Sequence, residues 1–463
     1  MVFWLFWMAI VPSGKIVYIN SFGKKNEFIQ KFTPQERILL DSRSSVKIIG
    51  EPVYFSLRTP RVFEKARFTI KYKNNSDFSI IEIGPLVDKN LWRYRLKPIE
   101  NKILDRLSFN WEKTREGDLL LLQRKDLPED LKFDSIDKFL NNLPMAEKIA
   151  VYNYKLEYEY IMEDYKSTEE ERILDYPLRG NFSFYTYIKD EDLFFDFEIT
   201  DINQNKDEDS VSLFLYYQNQ LIDSLYLEDD GISEDSSKKT EARNLKIKSI
   251  GLPEGVYKIE IKANNDIITE KIKTIQSKIA FLNKIWLHSG DKEDLKIFTD
   301  SRNINAQTIN PGSLQKIKIG NQELEIGETY KIFSIGSDAG TKEIILEKDD
   351  VILSGNGMFS FFEEDFFNPK IKGLDSSLDL DAEGVDYVLA EYREPEEIGE
   401  WRVTEVDFDI AEAYREFYKN SFLISVLGLR ADDDIDDYIE IDEIRVELRG
   451  RSLWGKIKKI ISK

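Results

Sequence analysis

Five aspartates crowd six consecutive positions near the end of this chain: Asp432, Asp433, Asp434, Asp436 and Asp437. Carboxylates this close repel one another unless a cation or open water screens them. Calcium is the hard cation that suits a shell made only of oxygens. The cluster therefore reads either as a structural calcium site or as a solvated acidic loop. A second run, Asp201, Asn203, Asn205, Asp207 and Asp209, places oxygen groups at alternate positions, like the start of a calcium loop. An EF-hand would need Gly at its sixth position and Glu at its twelfth, where Lys206 and Ser212 stand, so that motif is excluded. Asp375, Asp379, Asp381 and Glu383 form a weaker acidic group. Trp92, Arg93, Tyr94 and Arg95 alternate aromatic and guanidinium side chains. On a strand, one face would show two aromatic planes able to stack on a sugar ring, and the other two forks able to bind carboxylates or hydroxyls. The plainer reading buries the aromatics and leaves the arginines outside. Trp401, with Tyr414 and Tyr418, invites the same pair of readings.

Several chemistries are excluded by what is scarce. The 463 residues include no Cys, which removes disulfides, thiolate-bound zinc and a thiol nucleophile. The single histidine, His288, excludes multi-histidine metal sites. It stands before Ser289-Gly290-Asp291, and no nucleophile elbow surrounds it. A general base paired with Asp291 or Asp294 is one reading, and a strand-edge histidine is the other. A net charge of −21 repels phosphate backbones and argues against a nucleic-acid partner. No GxxxxGK[ST] or GxGxxG phosphate loop is present, and the Gly355-Asn356-Gly357 triplet reads as a turn. Acidic residues are too abundant for any chosen carboxylate pair to mark a glycosidase.

The elements that must position these groups repeat with a period of two. Residues 53–57, 68–72, 182–188, 193–199, 213–217, 257–261 and 403–410 alternate aromatic or β-branched residues with polar ones, as half-buried strands do. Gly320-Asn321 and Asn264-Asn265 each separate two such runs and predict hairpins. Helical patterning is confined to residues 135–143 and 410–418. In residues 438–448 the apolar parity switches across Asp442-Glu443, predicting a β-bulge in the last strand. The predicted class is all-β, as three tandem antiparallel β-sandwich domains with few short helices. An apolar N-terminal segment and lead-in fills 1–31, and sandwiches follow at 32–175, 176–276 and 277–452. A basic amphipathic tail occupies 453–463. Residues 163–175 are acidic and read as a connector, and residues 228–240 as an exposed loop inside a domain.

Leu252-Pro253-Glu254-Gly255-Val256-Tyr257 at a strand start resembles the tyrosine corner of immunoglobulin-like sandwiches, which makes the central domain immunoglobulin-like. The stretches YIEIDEIRVEL, EWRVTEVDFDI and SFLISVLGL resemble the closing strands of carbohydrate-binding jelly-roll modules. That resemblance implies a jelly-roll-like last domain and gives Asp442 the position of a structural calcium ligand. Glu363 and Glu364 are its candidates for the early glutamates. GEPVYFSLRTPRVFEKARFTIKYKN, IGPLVDKNLWRYRLKP and LPEGVYKIEIKAN together resemble uncharacterised, membrane-anchored multi-sandwich proteins of candidate-phylum bacteria. This implies location more than chemistry.

The chain ends carry related readings. Residues 2–11 are ten apolar residues, short of the about 20 needed to span a bilayer. They read as the end of a membrane segment or as a buried strand. Residues 453–463 place Leu453, Trp454, Ile457, Ile460 and Ile461 on one helical face and lysines on the other. That suits an anionic membrane surface or acidic partner, or else a solvated tail. The expected function is a non-catalytic structural or adhesive protein of the cell surface, membrane-anchored and extracellular, binding glycans or proteins. The alternative is a carbohydrate-binding module or carbohydrate-active enzyme acting on a polysaccharide.

Overall fold

A computed structural model describes residues 14–450, apart from 23–27, 41–44, 60–61, 77–79, 90–91, 204–208, 230, 232–238, 289–293, 376–377, 412, 427–428 and 430–436. Strands dominate, and the chain is all-β, built from open sheets packed as sandwiches. Among the described residues there are two α-helices, Lys102–Asn110 and Ile136–Asn141. The second was predicted, and Ser135 caps it by accepting from the Lys138 amide. The first was not. Its Asn101 side chain accepts from the Ile103 and Leu104 amides at 3.0 and 3.1 Å.

The chain forms two compact units: residues 1–142, 149–155 and 386–463, and residues 143–148 and 156–385. In the first unit the alternating strand Lys65–Asn74 buries Ala66, Phe68, Ile70 and Tyr72 on one face. It is flanked by Ile439–Arg449 on one side and Trp401–Asp409 on the other, both antiparallel. The facing sheet contains Val53–Arg58, Lys419–Val426, Ile80–Asp88 and Lys97–Asn101. Between the sheets, Phe55 and Phe422 from one meet Phe68 and Phe408 from the other, with centroid separations of 4.8–6.2 Å. A smaller sheet of the same unit pairs Glu112–Glu116, Leu119–Gln123, Tyr387–Glu391 and Ile149–Tyr152.

This arrangement departs from the linear partition read from the sequence. The strands between 401 and 449 were expected to close a domain spanning 277–452, yet they pair with strands between 46 and 88. Alternation dictates which face of a strand is buried and leaves its partner open, so such a long-range return is invisible locally. The predicted bulge is present: the register slips between Ile441 and Glu443, leaving Asp442 unpaired in the ladder and Ile439, Ile441, Ile444, Val446 and Leu448 all buried. Residues 410–418, expected to be helical, instead lead into a tight hairpin, Arg415–Glu416 with Lys419–Val426.

In the second unit one sheet holds Arg172–Leu174, Ile267–Thr274, Leu193–Asp201 and Arg243–Ser249. The facing sheet runs through Gln220–Leu227, Val211–Tyr217, Gly255–Lys262 and Phe182–Ile188. The tyrosine corner is formed: the Tyr257 hydroxyl donates to the Pro253 carbonyl at 2.7 Å. Gly320-Asn321 closes the expected hairpin, with Ile319 opposite Gln322. Asn264-Asn265 does not, because Gly255–Lys262 and Ile267–Thr274 lie in different sheets and the turn arches between them. The facing sheet continues past residue 276, since Phe182–Ile188 also pairs with Ile279–Trp286, and one apolar core runs from Leu174 to Phe361. The acidic connector is partly built in. Tyr165 is buried against Tyr187, and Arg172–Leu174 forms an edge strand.

Candidate functional site

Two hairpin tips at one end of the first unit carry its open aromatic surface. The first follows Ile80–Asp88. Its return segment, Arg93–Tyr94, pairs back with Leu86 and Asp88, and the Arg95 amide donates to the Pro85 carbonyl at 3.0 Å. Gly84 makes that close return feasible, because a Cβ there would lie 2.0 Å from the Arg95 carbonyl oxygen. Trp92 stands in the turn with φ +47° and is 66% exposed. The expected four-residue alternation on one strand is thus corrected: the strand holds only Arg93 and Tyr94. Arg93 and Arg95 are exposed, and Tyr94 is half-buried with its ring 6.0 Å from Tyr54.

The second tip is the turn between Arg415–Glu416 and Lys419–Val426. Phe417 and Tyr418 occupy it with φ +47° and +65°, the left-handed geometry that suits two-residue hairpins. They are 83% and 62% exposed. Lys89, beside the first tip, bonds Glu416 at 3.2 Å and lies 5.3 Å from the centre of the Tyr414 ring. The Tyr414 amide donates to the Leu86 carbonyl at 2.8 Å. Arg415 holds the Thr59 carbonyl at 2.7 Å and its guanidinium lies 5.4 Å from the Tyr418 ring centre. Trp92, Tyr414, Phe417 and Tyr418 therefore share one end, interleaved with Lys89, Arg93 and Arg415. Large aromatics fixed in water on braced turns are the kind of exposed apolar feature that marks recognition surfaces.

Trp401 lies elsewhere, on the sheet built around Lys65–Asn74. Lys73 and Lys71 cover its ring at 4.4 and 5.1 Å. These lysines in turn bond Glu400 at 2.6 Å and Asp442 at 2.7 Å. The two predicted aromatic faces are not one site: the Trp92 face is open and the Trp401 face carries lysine stems. Asp442, expected as a calcium ligand, makes an ion pair with Lys71. Asp432, Asp433, Asp434 and Asp436 lie outside the described residues. Among the described residues no three acidic or histidine side chains converge into a metal-ligating set. Of the weaker acidic group, Asp379 accepts from the Asp381 and Ala382 amides, and Glu383 pairs with Lys372 at 3.0 Å.

His288 is half-buried at a strand end. Its amide donates to the Pro177 carbonyl at 2.9 Å, and burial lowers its pKa below the usual histidine value. The charges acting on it are Asp350, Arg179, Glu270 and Lys239. Asp291 lies outside the described residues. An open cleft of about 610 Å³ in the second unit is lined by Tyr176, Asp294, Lys296, Phe361, Glu363 and Glu364. The Tyr176 ring lies flat on Phe361 at 4.1 Å.

Sequence reasoning missed a buried polar knot between the sheets of the first unit. Glu100 is 0% exposed and accepts from Arg402 at 2.5 Å and Asn74 at 3.0 Å. Nearby, the Tyr392 hydroxyl donates to Asp105 at 2.8 Å and accepts from the Asn101 amide. Burial pushes the Asp105 carboxyl up to about 6, against the lowering effect of the Tyr392 hydroxyl. No sequence spacing links Glu100 to Arg402.

No family model and no curated protein matches the chain. Among solved structures, particles derived from infectious bursal virus are similar at 8% identity, covering 97% of this chain and 84% of that one, with a TM-score of 0.16. Dimeric latent PorU from Porphyromonas gingivalis is similar at 9% identity over 68% of this chain and 31% of that one, also at 0.16. Likeness at that level carries no argument about architecture or activity.

Proposed function

We propose that this chain is a non-catalytic adhesive or structural protein of the cell surface, and that it binds glycans through the aromatic end of its first unit. The observation that supports this reading is the set Trp92, Phe417 and Tyr418, displayed on two hairpin tips that the Lys89–Glu416 ion pair ties together. Aromatic planes stack on sugar rings, while the exposed Arg93 offers donors to hydroxyls or carboxylates. A glycan array probed with the full chain tests it. Retention on at least one glycan class, lost in Trp92→Ala and kept in Trp401→Ala, is the expected result. Absence of binding across the array refutes the glycan reading, and capture by a surface protein through the same residues would replace it. Membrane attachment is part of the proposal: fractionation of expressing cells should place the full-length product with membranes, and a cytosolic product removes the tether.

The second reading is a carbohydrate-active enzyme. The cleft bordered by Tyr176, Asp294, Glu363 and Glu364 favours it, because carboxylates there flank an aromatic platform. Polysaccharide hydrolysis lost in Glu363→Gln or Glu364→Gln would support that alternative.

A further inference from the structure

The aromatic end of the first unit carries cations that its own carboxylates do not neutralise. Arg58 closes Val53–Arg58 and stands directly opposite Lys419, the first residue of Lys419–Val426. Both lie on the sheet face turned away from the core, where Arg58 is exposed and Lys419 half-buried. Like charges directly opposite on neighbouring strands repel one another. Among the described residues neither has an ion-pair partner, and neither does the exposed Arg93. Two carboxylates stand opposite these cations in register. Glu416 faces Lys419 across the tight hairpin, but both of its oxygens bond Lys89 at 3.2 Å. Asp88 faces Arg93, and no ion pair joins them. Arg58 is fixed to the second tip, because the Thr59 amide donates to the Tyr418 carbonyl at 2.8 Å and Arg415 holds the Thr59 carbonyl at 2.7 Å. Tyr94, next to Arg93, brings the first tip over the same sheet face, with its ring 6.0 Å from that of Tyr54.

The chain has 86 acidic and 65 basic residues, so a cation without a carboxylate runs against its composition. An opposed Arg and Lys also destabilise the ladder that holds them, and an anion from outside removes that repulsion. We propose, resting on the glycan reading of the aromatic tips, that the ligand of this end is an acidic glycan, one whose sugars carry carboxylate or sulfate groups. Trp92, Phe417 and Tyr418 offer planes to the sugar rings. The Arg93 guanidinium offers a fork to one anionic group, and Arg58 and Lys419 together attract another. A neutral glycan leaves the repulsion between Arg58 and Lys419 in place. The net charge of −21 repels a long polyanion over the rest of the surface, so the form recognised is a short acidic oligosaccharide or chain end.

The test is titration calorimetry of the full chain with a galacturonic acid trimer, with the same trimer as its methyl ester, and with a sulfated chondroitin tetrasaccharide. The ester keeps the rings and removes the charge. An exposed ion pair changes affinity by a few-fold at most, so three together should favour an acidic ligand over the ester by about tenfold. A preference for the free acid assigns carboxylate recognition, and one confined to chondroitin assigns sulfate. Arg58→Gln, Arg93→Gln and Lys419→Gln should each weaken the acidic ligand by about threefold and leave the ester unchanged. Arg58→Gln should melt at or above the parent temperature, because it relieves the repulsion with Lys419. Ester binding as tight as both acidic ligands overturns the proposal and leaves the glycan reading standing. So does an acidic preference that persists when all three cations are replaced. If none of the three ligands binds, the glycan array decides. Retention of acidic glycans alone supports the proposal, retention of neutral glycans alone overturns it, and no retention at all overturns the glycan reading with it.

Discussion

Replacing Arg402 with Met isolates what the buried knot of the first unit contributes. Arg402 sits on Trp401–Asp409 in one sheet, and Glu100 on Lys97–Asn101 in the other. Their 2.5 Å contact therefore links the two layers. Glu100 is fully buried, and its second oxygen has no hydrogen-bond partner. Removing the guanidinium leaves that carboxylate with the neutral donors beside it, the Asn74 amide and the Tyr72 hydroxyl. Breaking a buried pair by deleting one member costs about 3–5 kcal/mol, because the other charge is left uncompensated. The Arg402 side chain is 32% exposed, so water already screens part of the attraction, and the lower end applies, about 3 kcal/mol. For a unit of this size that corresponds to a fall of about 6–12 °C in its melting transition. Calorimetry of the full chain reads the shift, and hydrogen exchange in Lys65–Asn74 assigns the transition to this unit. Glu100→Gln in the Arg402→Met background should recover at least half of the loss, since it removes the stranded charge. A fall below 2 °C refutes the reasoning, as does a double variant no more stable than Arg402→Met alone.

Tyr257→Phe removes the hydroxyl that holds the Pro253 carbonyl and should destabilise the second unit by about 1 kcal/mol in urea unfolding. Gly84→Ala places a Cβ against the Arg95 carbonyl, and should cost about 3 kcal/mol and displace the Trp92 tip, read as a shift in tryptophan emission. Folding raises the Asp105 pKa from 3.8 to about 6. Its contribution is full below pH 3.8 and lost as pH rises through 6. Asp105→Asn should therefore raise the melting temperature of the first unit at pH 8 and leave it nearly unchanged at pH 4.

Much of the frame was legible locally. The parity switch across Asp442-Glu443 located the bulge, the Gly255-to-Tyr257 spacing located the tyrosine corner, and Gly320-Asn321 located its hairpin. Each is a case where the backbone conformation is dictated by neighbours within a few residues. What failed was non-local. Nothing near Val403 or Ile444 indicates that both strands return to flank Phe68. Asn264-Asn265 says that the chain reverses, and cannot say whether it does so within one sheet or between two. The site was half legible. Trp92 and Arg93 stood out by type, but their display depends on Gly84 and on a left-handed turn at Trp92. Phe417 was hidden in a segment whose spacing imitates a helix, although its two-residue turn is closed by a ladder that sequence alone does not reveal.

The proposed glycan site places recognition on the aromatic tips of the first unit and not on the Trp401 face. The most direct measurement is the affinity of Trp92→Ala, Phe417→Ala and Trp401→Ala for the best glycan found on an array, alongside their melting temperatures. Binding should be at least tenfold weaker for the first two and unchanged for the third, with melting within 2 °C of the parent for Trp92→Ala and Phe417→Ala. Full affinity in Trp92→Ala and Phe417→Ala, or loss confined to Trp401→Ala, would contradict it.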